Sequence, residues 1–295
     1  MRFAFLINPT ANRNATPLED LPWVRKIRQE FPDAAVITSN SPGHLTQLAG
    51  SLVGKVEACI VCGGDGSLNE VIQGVRNTAM ITGLIPTGSG NDFAKSVGIH
   101  PNPLMAVDQL KTAHVGAIDI VEFRTNRSSG IFHNTLGLGF DGLANHFAAK
   151  LPFKRGNLRY PVSALQALFH QPLFNISMHI DGREHTVTGY MVTLANGAVE
   201  GGQFIIAPQA SPHDGWLDVL VIRKSSKLRL LVLLPFLLLR RRPTFGMMEY
   251  HRCQQLRVET DQAVAVHADG EQMGQDIRSL SAELASHKIP FLIPR

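Results

Sequence analysis

The chain has 295 residues, enough for two domains of ordinary size, and 44% of them are hydrophobic against 18% charged. This composition is typical of folded globular proteins and excludes disordered and collagen-like classes. The 28 Lys and Arg against 24 Asp and Glu give a formal net charge of +4, which is compatible with a phosphate-rich partner but does not require one. No feature of the sequence indicates nucleic-acid binding.

Short apolar runs alternate with helical patterns over the first 124 residues, as is typical of βαβ units around a parallel sheet. The predicted strands are 3–7, 35–38, 58–62, 80–85 and 117–123. The predicted helices are 18–31, 44–52, 67–75, 92–97 and 104–111. We therefore predict an α/β domain with a doubly wound, mainly parallel sheet at 1–124 and a ligand crevice at the carboxyl ends of its strands.

The pattern changes beyond residue 124, where short β-like runs are separated by Gly, Asn, Pro and Asp. These runs are 130–135, 175–180, 187–195, 217–222, 255–259 and 264–268. They predict a second, mainly antiparallel β domain at 125–295, with helices inserted at 160–169 and 227–239. The apolar run 289–293 is predicted as a last strand, and the pattern does not decide which domain it joins.

Three polar loops follow predicted strands of the first domain, at 8–13, 63–71 and 86–92. Glycines in the second and third loops let backbone N–H groups approach a phosphate, and a helix N-terminus adds partial positive charge. Neither the dinucleotide G-x-G-x-x-G spacing nor the P-loop lysine is present. One such loop alone is more often an ordinary turn, but three at one sheet edge predict a polyphosphate site.

The two glycine-rich loops and several later motifs resemble the diacylglycerol kinase catalytic domain family, which includes bacterial lipid kinases and sphingosine kinases. GGDGSLNEV, from residue 63, is similar to the family's G-G-D-G-T-x-N-E-V signature, and PTGSGNDFA, from residue 86, to its P-x-G-T-x-N-D-F-A loop. The later motifs follow in the family's order: LGFD at 138–141, ANG at 195–197, GG at 201–202, APQA at 207–210, DGWLD at 214–218 and DGE at 269–271. The resemblance covers nearly the whole chain.

The resemblance implies a kinase that uses Mg²⁺ to transfer the γ-phosphate of ATP to a lipid hydroxyl, as in diacylglycerol. It implies a nucleotide-binding domain similar to that of NAD kinase, followed by a β-sandwich that binds the lipid acceptor. Ser39, Ser67 and Ser89 stand where the family more often has Thr, and each keeps a hydroxyl. The implied ATP-binding residues are Asn8, Ser39, Gly63, Gly64, Asp65, Gly66, Ser67, Asn69, Glu70, Gly88, Ser89, Asn91 and Asp92.

Phosphoryl transfer needs neutralised phosphate charge and a carboxylate that takes the hydroxyl proton. Without a P-loop lysine, Mg²⁺, backbone N–H groups and helix ends must supply the neutralisation, with Arg13 or Lys95 as further cations. Asp65 and Asp92 lie on the phosphate-facing loops and suit metal binding. The alternative, a carboxylate that caps a turn or a helix, is equally compatible with the sequence.

The resemblance makes Glu271 the general base, with Asp269 in the same acidic pocket. From the residues alone, the Asp269-Gly270 pair indicates only an exposed hairpin turn. The resemblance also implies a structural Mg²⁺ site in the second domain, where the Asp214 carboxylate is joined by the backbone carbonyls of Ser211 and Trp216. Hard oxygen ligands of this kind suit Mg²⁺.

Residues 227–242 place an apolar stretch between basic residues. Two interpretations stay open, reversible docking on an anionic membrane surface or a core helix with a solvated charged end. The longest nearly apolar run, 230–239, is too short to span a bilayer, and 3–7 is too short for a signal-peptide core. We expect a cytoplasmic protein, in which peripheral contact with the inner face of the membrane and a homodimer both stay open.

Two other functions remain open on the sequence. A soluble small-molecule kinase of the NAD kinase or phosphofructokinase type shares G-G-D-G but does not need the later motifs. A non-catalytic nucleotide-binding regulator is the second alternative, and the presence of Asp65, Asp92 and Glu271 argues against it.

Overall fold

The computed structural model describes four stretches of the chain: residues 1–11, 17–151, 159–237 and 246–295. The candidate cation Arg13 and the basic group Arg240, Arg241 and Arg242 lie outside the described residues. The chain divides into two compact units, Met1–Asp119 with Ser286–Arg295, and Ile120–Ala285.

A six-stranded sheet forms the centre of the first unit. Its strands are β1 (Phe3–Ile7), β2 (Ala35–Thr38), β3 (Ala58–Gly63), β4 (Ile81–Pro86), β5 (His114–Ile118) and, from the end of the chain, β17 (Ile289–Ile293). The order is β2-β1-β3-β4-β17-β5, with β1 to β4 parallel, and β17 parallel to β4 but antiparallel to β5. The last strand of the chain therefore completes the first sheet.

Helices connect the parallel strands and cover the sheet. They are α1 (Pro22–Glu30), preceded by a 3-10 turn at Leu18–Asp20, α2 (His44–Leu52), α3 (Asp65–Val75), α4 (Asp92–Ser96) and α5 (Pro103–Thr112). Every residue of β3 is buried, as expected for a parallel strand with both faces covered.

Burial raises the pKa of the Cys59 thiol in β3 to about 12, so this thiol stays protonated and unreactive.

The second unit is built on a nine-stranded sheet whose paired strands are all antiparallel. Its strands are β6 (Val121–Thr125), β7 (Ser129–Phe132), β8 (Thr135–Gly139), β9 (Phe174–Ile180), β10 (Arg183–Ala195), β13 (Leu217–Arg223), β14 (Met248–Cys253), β15 (Gln255–Ala268) and β16 (Glu271–Leu284). Their order is β14-β13-β10-β8-β15-β16-β6-β7, and β9 pairs with β10 and β15. Alternate apolar side chains of these strands form one buried cluster.

Smaller elements complete this unit. They are α6 (Phe140–Lys150), α7 (Arg159–His170), the two-stranded ribbon of β11 (Val199–Glu200) and β12 (Phe204–Ile205), and α8 (Lys227–Leu237). Within the described stretches, no helix is long and apolar enough to cross a membrane. The architecture confirms the predicted fold class, a mainly parallel α/β domain followed by an antiparallel β-sandwich.

Several predicted elements differ from the observed ones. The predicted strand 117–123 is two strands, β5 and β6, in different sheets, because the chain passes from one unit to the other at Asp119 and Ile120. The predicted strand 130–135 is interrupted between β7 and β8, where a buried carboxylate binds the backbone. The sequence pattern misses β14, β16 and α6. The first half of β16 is polar, and α6 begins directly after β8, where the pattern gives no separate helix start.

Candidate functional site

The first and second loops are joined by hydrogen bonds at the carboxyl ends of β1 and β3. The side-chain amide of Asn8 donates from Nδ2 to Ser67 Oγ at 2.8 Å, and the Asn8 backbone N–H donates to Cys62 O at 3.0 Å. Ser67 is buried in the first turn of α3, next to Gly66. Asn8 therefore ties the end of β1 to the start of α3.

The second and third loops touch backbone to backbone. A Cβ atom added to Gly88 would lie 2.6 Å from Gly64 Cα, and one added to Gly63 would lie 2.4 Å from Ser67 Cβ. In addition, the Thr87 backbone N–H donates to Gly63 O at 2.9 Å. No side chain fits between these loops, so only glycine allows the approach.

Asp65 connects the same two loops through its carboxylate. Oδ2 accepts a hydrogen bond from the backbone N–H of Asp92 at 3.1 Å, and Oδ1 accepts from that of Phe93 at 3.0 Å. Asp65 is the first residue of α3, yet its side chain caps the N-terminus of α4. A Cβ atom added to Gly90 would lie 3.4 Å from Asp65 Oδ2 and 3.6 Å from Asp92 Oδ2, so both carboxylates border the open face of this glycine.

The third loop is also closed from within. Asn91 has a positive φ of 53°, and its side chain accepts from Gly88 N at 3.0 Å and donates to Gly88 O at 2.9 Å. Lys95 Nζ donates to Gly90 O at 2.6 Å and lies 3.4 Å from Asp92 Oδ1, which fixes this cation beside the loop. Ser89 is exposed at the tip.

Three of the predicted ATP-binding residues support the loops or lie beside them. Glu70 Oε2 accepts from Leu45 N at 3.2 Å and so holds the N-terminus of α2. Asn69 Oδ1 accepts from Gln73 Nε2 at 2.7 Å on the surface of α3. Ser39 is buried directly after β2, where its backbone N–H donates to β1.

In the second unit, Asp269 is a buried anchor for the backbone. Its Oδ1 accepts from Asn134 N at 2.9 Å and Thr135 N at 3.2 Å, while Oδ2 accepts from His133 N at 3.0 Å and lies 2.7 Å from His133 Nδ1. Burial alone would raise the pKa of Asp269, but His133 and these N–H groups hold it below its ordinary value. Asp269 therefore stays ionised and positions the start of β8.

Glu271 has the opposite environment two residues later. Asp269 and Gly270 both have positive φ and form the turn between β15 and β16, and the exposed Glu271 is the first residue of β16. The turn is attached to α6 because Asn145 Nδ2 donates to Gly270 O at 2.9 Å. The hairpin tip thus presents an accessible carboxylate on a fixed backbone.

A buried cluster of Asp141, Glu200 and His267 lies in the same unit. His267 Nε2 is 2.8 Å from Glu200 Oε1 and 3.5 Å from Asp141 Oδ2, and Asp141 Oδ2 also accepts from Thr193 Oγ1 at 2.7 Å. Sequence reasoning missed Glu200 and His267, and quoted Asp141 only within a motif. The available signal was the alternation in β15, which places His267 on the face opposite the core residues Val264, Val266 and Ala268.

The electrostatics of this cluster follow from its burial. Burial raises the pKa of Glu200 to about 8, and the nearby Asp141 carboxylate adds to the rise. Burial also opposes the charges of Asp141 and His267, but the attraction of His267 lowers the pKa of Asp141, and the carboxylates of Glu200 and Asp141 together raise the pKa of His267. Glu200 and His267 therefore keep their protons to a higher pH than free side chains do.

The predicted structural Mg²⁺ site is a tight turn after residue 210. The Asp214 backbone N–H donates to Ser211 O at 3.4 Å, and Asp214 Oδ1 accepts from Trp216 N at 3.1 Å. Asp214 Oδ2 accepts from the guanidinium of Arg252, which also lies 5.7 Å from the centre of the Trp216 ring. The Arg252 guanidinium thus binds the carboxylate of Asp214, which is the predicted Mg²⁺ ligand. The assignment of Mg²⁺ to this site stays a prediction.

Comparison with known families identifies both units. Residues 2–123 match the model of the diacylglycerol kinase catalytic domain. Residues 134–283 match the YegS C-terminal NAD kinase β-sandwich-like domain. Residues 2–123 therefore belong to the diacylglycerol kinase catalytic domain family, and residues 134–283 belong to the YegS C-terminal domain family, as the ordered motifs indicated.

Individual relatives agree with this assignment. A Mycobacterium tuberculosis protein named diacylglycerol kinase is 27% identical over 272 residues, which cover 90% of this chain and 87% of the relative. The crystal structure of a diacylglycerol kinase from Bacillus anthracis aligns with a TM-score of 0.74 at 18% identity, covering 99% of this chain and 96% of that one. A second B. anthracis structure gives a TM-score of 0.79 at 21% identity, with 99% and 97% covered. At these identities the two structures establish the fold.

Proposed function

We propose that the protein is an ATP-dependent lipid kinase that transfers the γ-phosphate to the hydroxyl of a diacylglycerol-like lipid. The observation that carries this proposal is the packing of Gly64 against Gly88, which places two glycine-rich loops side by side at the carboxyl ends of β3 and β4. Backbone N–H groups and the N-terminus of α3 then supply positive partial charge for a polyphosphate. This arrangement accounts for phosphate binding without a P-loop lysine.

The donor set of these loops fits Mg²⁺. The carboxylates of Asp65 and Asp92 border the same open face of Gly90, and carboxylate oxygen is the ligand type that Mg²⁺ prefers. We assign these two residues as the metal-binding pair, directly or through water. When bound, Mg²⁺ neutralises charge on the β- and γ-phosphates. Lys95, fixed beside the loop, adds a cation of the chain's own.

The proposed base is Glu271. In the transfer step, the lipid hydroxyl oxygen forms a bond to the γ-phosphorus, the bond from that phosphorus to the ADP oxygen breaks, and the hydroxyl proton passes to the Glu271 carboxylate. Exposure at a fixed hairpin tip supports this role, whereas the Asp269 side chain is buried and its pKa is held below its ordinary value. Asp269 is therefore assigned as a positioning residue.

The lipid acceptor is supported by the name of the M. tuberculosis relative and by exposed apolar side chains on two helices. Phe169 at the end of α7 is 61% exposed, and Leu228 in the first turn of α8 is 71% exposed. Lys227 Nζ donates to Phe169 O at 2.9 Å, which holds the two helix ends together. Leu231, Val232 and Phe236 of α8 are also exposed. We propose that this apolar surface, with Lys227 and Arg229 beside it, contacts the membrane that holds the lipid.

The test is a phosphorylation assay with γ-labelled ATP and Mg²⁺ against a panel of acceptors. The panel contains diacylglycerol in mixed micelles with anionic lipid, NAD and a hexose phosphate. The proposal expects a labelled lipid extracted into organic solvent and no labelled soluble product. Transfer to NAD or to the sugar phosphate, without transfer to lipid, would establish a soluble-substrate kinase in its place.

A further inference from the structure

A cluster of two histidines and one glutamate lies in the second unit, apart from the residues assigned above. His185 is on β10, and Glu249 and His251 are two residues apart on β14, so their side chains share one face of that strand. Both histidines approach a single atom, because His185 Nε2 and His251 Nε2 each lie 2.8 Å from Glu249 Oε1. The three ligand-type atoms all lie within 4.8 Å of one another.

The two histidine–glutamate distances are compatible with hydrogen bonds and also with three ligands around one metal ion. Ligand atoms bonded to a metal at about 2.0–2.1 Å, with angles between about 90° and 110°, lie roughly 2.9–3.4 Å from one another. The two observed distances of 2.8 Å are close to the short end of that range. Small rotations of the three side chains therefore suffice to place an ion among them.

The surroundings suit a metal that arrives from solvent. The side chains of His185, Glu249 and His251 are 35%, 22% and 25% exposed, so the cluster lies close to the surface, although both Nε2 atoms are themselves buried. Arg223 Nε lies 3.7 Å from the other glutamate oxygen, Oε2, and so directs Oε1 towards the histidines. The ring planes of the two histidines meet at 61° with their centres 5.1 Å apart, so the rings converge at their Nε2 edges without stacking.

We infer that His185, Glu249 and His251 bind one divalent transition-metal ion of the Zn²⁺ class and thereby link β10 to β14. Two imidazole nitrogens and one carboxylate form a ligand set found in zinc proteins with an open coordination position. Imidazole is a poor ligand for Mg²⁺, so this site differs in metal from the proposed kinase reaction. The inference does not depend on the proposed function.

The test is calorimetric titration of untagged, metal-free protein with Zn²⁺ alone, without nucleotide or lipid. We expect the tightest Zn²⁺ site of the wild type to bind at least about tenfold more weakly in His185→Asn, His251→Asn and Glu249→Gln, since even second-shell changes cost about 10- to 100-fold. His179→Asn is the matched control, because His179 is an exposed histidine on the adjacent strand β9. This control should bind Zn²⁺ like the wild type.

Titration with Co²⁺ gives a second readout that needs no variant. Coordination by nitrogen and carboxylate with fewer than six ligands produces visible absorption well above that of the hydrated ion, and Zn²⁺ should abolish it. The inference is wrong if the wild type gives only the spectrum of hydrated Co²⁺. It is equally wrong if the three variants bind Zn²⁺ as tightly as the wild type, or if His179→Asn loses as much affinity as they do.

Discussion

Two acidic residues of one hairpin have opposite environments, and these environments support the different roles that we propose for them. The Asp269 carboxylate is buried and accepts hydrogen bonds from three backbone N–H groups, whereas Glu271 is exposed. A carboxylate that must accept a proton from substrate needs an accessible oxygen and a pKa that allows protonation. Asp269 meets neither condition.

The Glu271→Gln substitution tests the assignment of the base. We expect turnover to fall at least about 10²-fold, the low end for a lost general base, while the KM for ATP stays within a few-fold. Glu283→Gln, an exposed position on the same strand, is the control and should leave both constants unchanged. Near-normal turnover of Glu271→Gln would mean that another group takes the proton.

The buried Asp141, Glu200 and His267 cluster makes stability depend on pH. With its pKa raised from 4.5 to about 8, folded Glu200 keeps a proton that the unfolded chain releases, so this residue makes the folded state less stable as the pH rises through that window. The raised pKa of His267 acts in the same direction. Both contributions depend on the Glu200 carboxyl group.

Glu200→Gln should therefore gain stability relative to the wild type as the pH rises from 4.5 to about 8, by at most about 1.4 kcal/mol per pH unit for each proton. Unfolding midpoints measured across this range check the expectation. Glu184→Gln, at an exposed position of β10, is the control and should parallel the wild type. A difference between Glu200→Gln and the wild type that does not change with pH would contradict the account.

At the scale of elements, α8 carries the membrane contact that we propose. Leu230 and Leu233 are buried, yet Leu228, Val232 and Phe236 remain exposed, so this helix packs on the unit and still presents apolar side chains. An exposed apolar surface of this kind is typical of an interaction site. The structure thus combines the two interpretations of the sequence, a packed helix and a candidate docking face.

The double substitution Leu228→Gln and Val232→Gln should weaken cosedimentation with anionic vesicles, because it removes exposed apolar area without touching the packed face. The loss should appear as a reduced bound fraction at low salt. Met105→Gln, an exposed apolar position on α5, is the control and should sediment like the wild type. Unchanged binding of the double variant would exclude α8 as the docking face.

The sequence predicts the elements that repeat a simple pattern and misses those fixed by distant contacts. Apolar runs followed by loop-forming residues such as Gly, Pro, Asn and Ser identify β1 to β4 within one or two residues. The first half of β16 lacks an apolar alternation, and its pairing with β15 determines it instead. The break between β7 and β8 depends on Asp269, more than 130 residues away, and no local pattern encodes such a contact.

The same limit applies to the candidate site. Residue type and spacing single out Gly64, Asp65 and Gly88 as candidates, and they leave metal binding and capping equally open for Asp65. The pattern does not reveal that Asp65 caps the helix of the other loop, or that Glu70 holds α2. Glu200 and His267 carry no motif, and only the fold brings them together with Asp141.

At the scale of the whole molecule, the chain combines an α/β unit, which carries the two glycine-rich loops, with a β-sandwich unit. A separate family model matches each unit, and the packing of the two glycine-rich loops supports the chemistry that we propose for the first unit. The proposed kinase function therefore depends most on whether those loops bind nucleotide phosphates.

The most direct test of that claim is calorimetric titration of ATP with Mg²⁺ into wild type, Gly88→Ala and Gly50→Ala. Gly88→Ala should lose ATP binding, because its Cβ would lie 2.6 Å from Gly64 Cα and force the loops apart. Gly50→Ala, in α2, meets its nearest atom at 3.5 Å and should bind like the wild type. ATP binding that is equal in all three proteins, or absent from the wild type, would contradict the account.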